Sequence, residues 1–250
     1  MKLLANVALY ISLPIIVVLI WKAADIFGLI KPYTLPPPEK VLKTALEFLQ
    51  DGTLIEHIKA SVLRVAEGFL IALVLALVVG VGIGLFKKLE IFTDALLQIL
   101  KPIPPIAWIP LSILWFGIGE GSKVFIIVVG AFFPILINTI DGIKNIDSRF
   151  LELSRVYEVK RLRVITKVIL PGAMPFIMTG IRVGLGNAWM CVVAAEMIAA
   201  TRGIGYMLMD GRNLAKPDMV ILGMLIIGII GKLMDDLLKV ISKSAIRWNQ

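Results

Sequence analysis

The sequence predicts an all-α polytopic membrane protein with six transmembrane helices and a further helix in a cytoplasmic loop. Three observations lead there. First, 58% of the 250 residues are hydrophobic and 18% charged, with a mean hydropathy of +0.91; soluble domains average about 45–50% apolar and about 25% charged. Second, six apolar stretches, at roughly 6–29, 64–86, 95–116, 123–143, 174–199 and 219–241, approach or exceed the ~20 residues that cross a hydrocarbon core. Third, the basic residues fall mostly between those stretches. In lipid the backbone must satisfy its own hydrogen bonds, so the spans are helices. The whole of 1–250 reads as one membrane domain, with a core over 64–245 and an accessory part over 1–63.

The first span follows Met1-Lys2 and stays apolar past Trp21 without a small-x-small cleavage pattern, which predicts an uncleaved anchor. Pro36-Pro37-Pro38 then interrupts, and Glu39–Gln50 reads as a short amphipathic helix at the outer surface. Its apolar face carries Val41, Leu42, Ala45, Leu46 and Leu49, and Gly52 ends it. Gly80 and Gly84 inside the second span predict close helix packing. The third span holds Pro102, Pro104, Pro105 and Pro110, each without a backbone donor. Two readings stand there: a packing kink, or irregular backbone beside a translocation path.

Topology follows from charge. Lys2, Lys87, Lys88, Lys144, Arg149, Arg155, Lys160, Arg161, Arg163, Lys167, Lys232, Lys239, Lys243 and Arg247 fall on one side. Lys31, Lys40, Lys43, Lys59, Lys123, Arg202, Arg212 and Lys216 fall on the other, so the count is fourteen against eight. Both termini are expected in the cytoplasm of a cell whose (inner) membrane the chain crosses. The net charge of +8 reports topology and contact with anionic lipid rather than nucleic-acid binding.

Between spans four and five, the segment 144–167 is too charged to span. Phe150, Leu151, Leu153, Val156 and Tyr157 alternate with charges at helical spacing. A cytoplasmic amphipathic helix suits docking to a soluble partner; a helix lying on the membrane surface is the other reading. In span five, Arg182, Gly186, Trp189, Val193 and Glu196 share one helical face. Ionisable groups at membrane depth face a cavity or a partner. With Asn138 and Asn187 they are candidates for lining a path, against the alternative of ties between helices.

Several chemistries are poorly served. The lone Cys191 and lone His57 build neither a disulfide nor a zinc site, so no metal or cofactor is expected in this chain. Gly231-Lys232 lacks the other residues of a phosphate-binding P-loop. No catalytic cluster of His, Asp, Glu or Cys with usable spacing is present, so no enzyme is expected.

A resemblance sharpens the function. Pro102-Ile103-Pro104-Pro105-Ile106-Ala107-Trp108-Ile109-Pro110 with Leu114-Trp115-Phe116-Gly117, Phe133-Pro134 through Asn138-Thr139, and Thr179-Gly180-Ile181-Arg182 through Glu196-Met197 and Gly203–Tyr206 resemble the permease subunits of binding-protein-dependent ABC importers of the nitrate, sulfonate, taurine and bicarbonate type. That family carries a cytoplasmic Glu-Ala-Ala signature, a Gly four residues after the second Ala, and a closing Ile-x-Leu-Pro. Glu152 takes the Glu position and Val168, Leu170 and Pro171 the closing ones; Leu153 and Ser154 replace the two Ala, and Glu158 replaces the Gly.

The resemblance implies that 144–167 is a coupling loop, with Phe150, Leu153 and Tyr157 against an ATPase subunit and Arg155 and Glu158 setting its register. It implies a second permease chain as partner, with a homodimer expected. It also implies two ATP-binding subunits that hold ATP and Mg, an extracytoplasmic solute-binding protein, and a small polar, anionic cargo. The competing reading is a channel or secondary transporter that works without ATP.

Overall fold

A peptide group within a bilayer has no water to bond, so a spanning chain must close its hydrogen bonds inside each segment. The computed structural model describes residues 2–29 and 31–245, with side chains from Ser12 onward as far as Lys243, and its regular elements among those residues are helical. Arg247, counted with the basic side, lies outside the described residues.

In chain order the helices are α1 (Lys2–Ile26), α2 (Pro38–Gln50), α3 (Thr53–Leu85), α4 (Lys87–Leu100), α5 (Ile109–Phe116), α6 (Glu120–Lys144), α7 (Ser148–Val156), α8 (Arg161–Val164), α9 (Leu170–Ala199), α10 (Ile204–Asn213) and α11 (Pro217–Ala245). Among the described residues, α3, α6, the run from Arg161 to Ala199 and α11 are long and apolar enough to cross a membrane; α4 with the segment Pro105–Phe116 forms a fifth candidate, sharply bent. A count of six also needs α1, whose 25 residues extend about 38 Å at 1.5 Å per residue.

The core is a three-helix layer with α6 at its centre. Ile127, Ala131, Ile135 and Leu136 of α6 are fully buried between α3 and α9. Glycines set the spacing. A methyl built on Gly68 of α3 lies 2.7 Å from Ile127 Cγ2, and one on Gly84 lies 2.9 Å from Ile143. Across the other seam, one on Gly184 of α9 lies 2.7 Å from Ile135, and one on Gly130 of α6 reaches the thiol of Cys191. These backbones therefore approach to where only hydrogen fits, which supplies the dispersion contact that holds helices together in lipid. The expected packing role of Gly80 and Gly84 is met on α6: the methyl test at Gly80 finds Thr139 at 3.0 Å.

Three expectations change. The second span begins at Thr53, eleven residues before the hydropathy boundary at 64, because its polar first turns are helical yet not apolar. The third span is not one helix: α4 ends at Leu100, a 3-10 turn covers Pro105–Trp108, and α5 leaves at 87° to α4. Pro102, Pro104 and Pro105 each lack the N–H that would continue the ladder, and Pro105 holds the residue before it, Pro104, at extended angles (φ −62°, ψ 138°). In α2, Val41 and Thr44 are buried, with Thr44 Oγ1 donating to Asp218 of α11 at 2.7 Å. Leu42, Leu46 and Leu49, placed on the same apolar face, instead remain exposed. The helix α10 was not foreseen as a separate element.

The seam is testable. Gly68→Val should cost about 1–3 kcal/mol by overpacking against Ile127, lowering the melting temperature of the detergent-solubilised chain. Gly228→Ala in α11, where a methyl meets nothing within 4 Å, should leave it unchanged or slightly higher.

Candidate functional site

The segment between α6 and α9 forms two short helices rather than one. Asp147 caps α7, accepting from the Arg149 N–H at 2.9 Å. Ser154 Oγ bonds back to Leu151 O at 2.7 Å. The chain then turns: Tyr157 N–H donates to Leu153 O, Val159 N–H to Ser154 O, and Glu158 takes φ +48°. This is the left-handed conformation for which Gly is favoured. Glu158 thus adopts, without glycine, the turn that the resemblance assigns to a glycine at this position.

On α7, Phe150, Leu153, Val156 and Tyr157 are all exposed, Val156 and Tyr157 at 77% each. Glu152 and Arg155 are exposed beside them. Leu170 and Pro171 lie half-buried where α8, a π turn at Ile165–Ile169 and α9 merge. From Arg161 to Ala199 the helix runs continuously. A groove of about 720 Å³ opens between α7 and the start of α9, lined by Phe150, Lys167, Val168, Pro171 and Phe176 among others. Arg161 stacks over Phe86 at 5.4 Å, and Lys144 pairs with Glu90 at 2.8 Å, so this end of the molecule is laced to the α3–α4 corner.

The candidate path residues separate into three places. Asn138 and Asn187 line one cavity of about 370 Å³ between the broken span, α6 and α9. Arg182 and Trp189 line another, of about 180 Å³, toward α11. Arg182 forks onto Asp235 with both Nε and Nη2, and Trp189 Nε1 donates to Ile227 O at 3.0 Å.

Glu196 departs from the shared face. It is 1% exposed, and its carboxylate accepts from Ser61 Oγ at 2.8 Å, Arg64 Nη1 at 2.7 Å and the Gly205 N–H at 2.9 Å. Arg64 continues to Arg202 O at 2.7 Å and, through Nη2, to Glu120 at 2.9 Å; Lys123 reaches Glu120 at 2.9 Å. Two cations and two carboxylates balance, and the network joins α3, α6, α9 and α10 at the end opposite α7. Ser61 Oγ accepts from the Ile204 N–H at 2.9 Å, and His57 Nδ1 from that of Gly203 at 3.1 Å, so the start of α10 is capped by side chains of α3. Fourteen residues of helix carry the face from Arg182 to Glu196 past different neighbours, and Glu196 meets Arg64. Sequence reasoning missed Arg64, Ser61 and Glu120; the signal was that a carboxylate at membrane depth needs a cationic partner.

The family described as binding-protein-dependent transport system inner membrane component matches residues 68–247. A permease protein of Bacillus subtilis assigned to aliphatic sulfonates transport is 39% identical over 236 residues, covering 94% of this chain and 86% of that one. The taurine transport system permease protein of Escherichia coli is 34% identical over 249 residues, covering 98% and 90%. Among solved structures, a chain of the methionine ABC transporter MetNI in an inward-facing conformation superposes with a TM-score of 0.64 at 17% identity, over 76% of this chain and 96% of that one; this is a likeness of fold.

Two substitutions test the site. Arg64→Met strands Glu196 and should destabilise the chain by about 3–5 kcal/mol, read as lost monodispersity on size exclusion; adding Glu196→Gln should restore a part of it. Glu158→Gly should stabilise the α7–α8 turn by about 1 kcal/mol, read as slower amide exchange across 148–164. A slower-exchanging wild type would count against strain at Glu158.

Proposed function

The chain belongs to the binding-protein-dependent transport system inner membrane components, and as such a permease subunit of an ABC importer we propose that it works as one half of a permease pair, most simply a homodimer. In this reading two ATP-binding subunits, which hold the ATP and Mg, dock on the basic end, and a solute-binding protein delivers cargo at the other. Both termini face the cytoplasm of the inner membrane, in line with the excess of Lys and Arg at that end.

The observation that carries the reading is the exposed apolar surface of Phe150, Leu153 and Tyr157 on a capped helix outside the spanning bundle. Such residues lose contact with water only when a partner covers them. Glu152, Arg155 and Glu158 flank that surface and set its register, while Ser154 ties the helix internally and Leu170-Pro171 joins it to α9. Closure of the ATPase pair then pulls on α7, and the turn at Glu158 passes the movement to α8 and α9. Asn138, Asn187, Arg182 and Trp189 are assigned to the path, and Glu196 to the tie that holds its outer end. The relatives named for sulfonates, taurine and nitrate support a small anionic cargo.

Leu153→Asp with Tyr157→Asp should release the ATPase subunits in a pull-down, leaving less than about a tenth of the bound subunit while the chain still inserts, as expected for loss of a central apolar contact. Unchanged co-purification overturns the docking surface. Uptake of taurine into proteoliposomes by the permease chain without any ATPase subunit overturns the importer reading in favour of an ATP-independent channel.

A further inference from the structure

Lys101 closes α4 at the point where the prolines break the third span. It lies within the apolar stretch 95–116, exposed, directly after a 14-residue helix that begins at the basic corner of Lys87 and Lys88. Its ammonium makes no hydrogen bond or ion pair among the described residues. That is unusual, because a cation at membrane depth is costly and is normally matched by a carboxylate or by cargo. Arg64, Arg182, Lys144 and Lys239 each have such a match; Lys101 does not.

The lysine borders the cavity of about 370 Å³ that also takes in Asn138 and Asn187. Asn138 Nδ2 donates to Pro134 O at 2.8 Å, leaving its carbonyl free. The Asn187 side chain makes no hydrogen bond among the described residues. The remaining wall is apolar, including Ile103, Phe133 and Val183. One cation, an unengaged amide and apolar walls together suit a small ligand with an oxyanion head and an apolar remainder. Lys101 also borders a smaller cavity of about 180 Å³ with Asp94 and Asp141, neither of which pairs with it.

We infer that Lys101, with Asn187 and Asn138, forms an anion-selecting station in the path, holding the oxyanion group of a small sulfonate-like solute at the break of the third span. The inference rests on the importer reading, since it names what the path recognises. The break itself supplies the geometry: Lys101 is the last residue before the turn that begins at Pro102, and it borders the cavity that the turn leaves between Ile103, Pro105 and α6.

The test needs neither cargo identification nor partner subunits. In a Cys191→Ala chain, Val183→Cys places a thiol in the wall of this cavity. Its rates of modification by the sulfonatoethyl and trimethylammonioethyl methanethiosulfonate reagents are each divided by the rates at a free thiol. The anionic reagent should be favoured about tenfold or more, as a cation-lined cleft concentrates counter-ions. Lys101→Gln should bring the ratio near one, and Lys101→Arg should keep it. A ratio unaffected by Lys101→Gln, or a thiol that reacts with neither reagent, overturns the inference. Either result bears only on the lining of this cavity and not on binding of the ATPase subunits, so this failure is separable from failure of the importer reading.

Discussion

The pairing of Arg64 with Glu196 is the constraint around which one end of the molecule is organised. A buried carboxylate without a cation would cost several kcal/mol in a low-dielectric setting. Here it receives an arginine, a serine hydroxyl and a backbone N–H at once, and the second carboxylate, Glu120, takes up the remaining charge with Lys123. Gly203 and Gly205 complete the arrangement. Gly203 holds φ +127°, and a methyl on it would lie 2.3 Å from the Glu196 carboxyl carbon, so the loop into α10 fits over the carboxylate only as glycine. Three helices, α3, α6 and α9, bring the four charges together, and α10 joins them through its backbone N–H groups.

That tie sits at one end of the glycine seams joining α3, α6 and α9, and the two devices divide the molecule mechanically. The seams make a layer too closely packed to deform smoothly. The broken third span and the α7–α8 loop lie outside it, joined through turns. α8 and α9 form one unbroken helix from Arg161 to Ala199, so α8 belongs mechanically to the layer, and α7 joins it only through the turn at Glu158. The joints between the layer and these parts are the proline break after Leu100 and the turn at Glu158.

Much of this was legible in the sequence because hydropathy and spacing report on each segment alone. The spans over α6 and α11, the amphipathic exposure of Phe150, Leu153 and Tyr157, and the packing role of Gly80 and Gly84 all came from local pattern. What depended on tertiary partners did not. Arg64 was taken as the edge of a span, because a hydropathy window ends where charge begins and cannot see Glu196 more than a hundred residues away. The face from Arg182 to Glu196 was periodic, but periodicity places residues around a helix without saying what stands opposite. Proline content announced an interruption near Pro102, while the 87° between the two halves depends on how α5 packs against α6.

The π turn at Ile165–Ile169 has a consequence of phase. Such a turn holds one residue more than its α-helical counterpart, and each residue of helix is worth about 100° of rotation. Everything before it, including α8 and the surface of α7, is therefore clocked around the axis of α9 by that surplus residue. The direction in which the exposed apolar side of α7 faces is in this sense an angular offset stored in the backbone, independent of the side chains it carries.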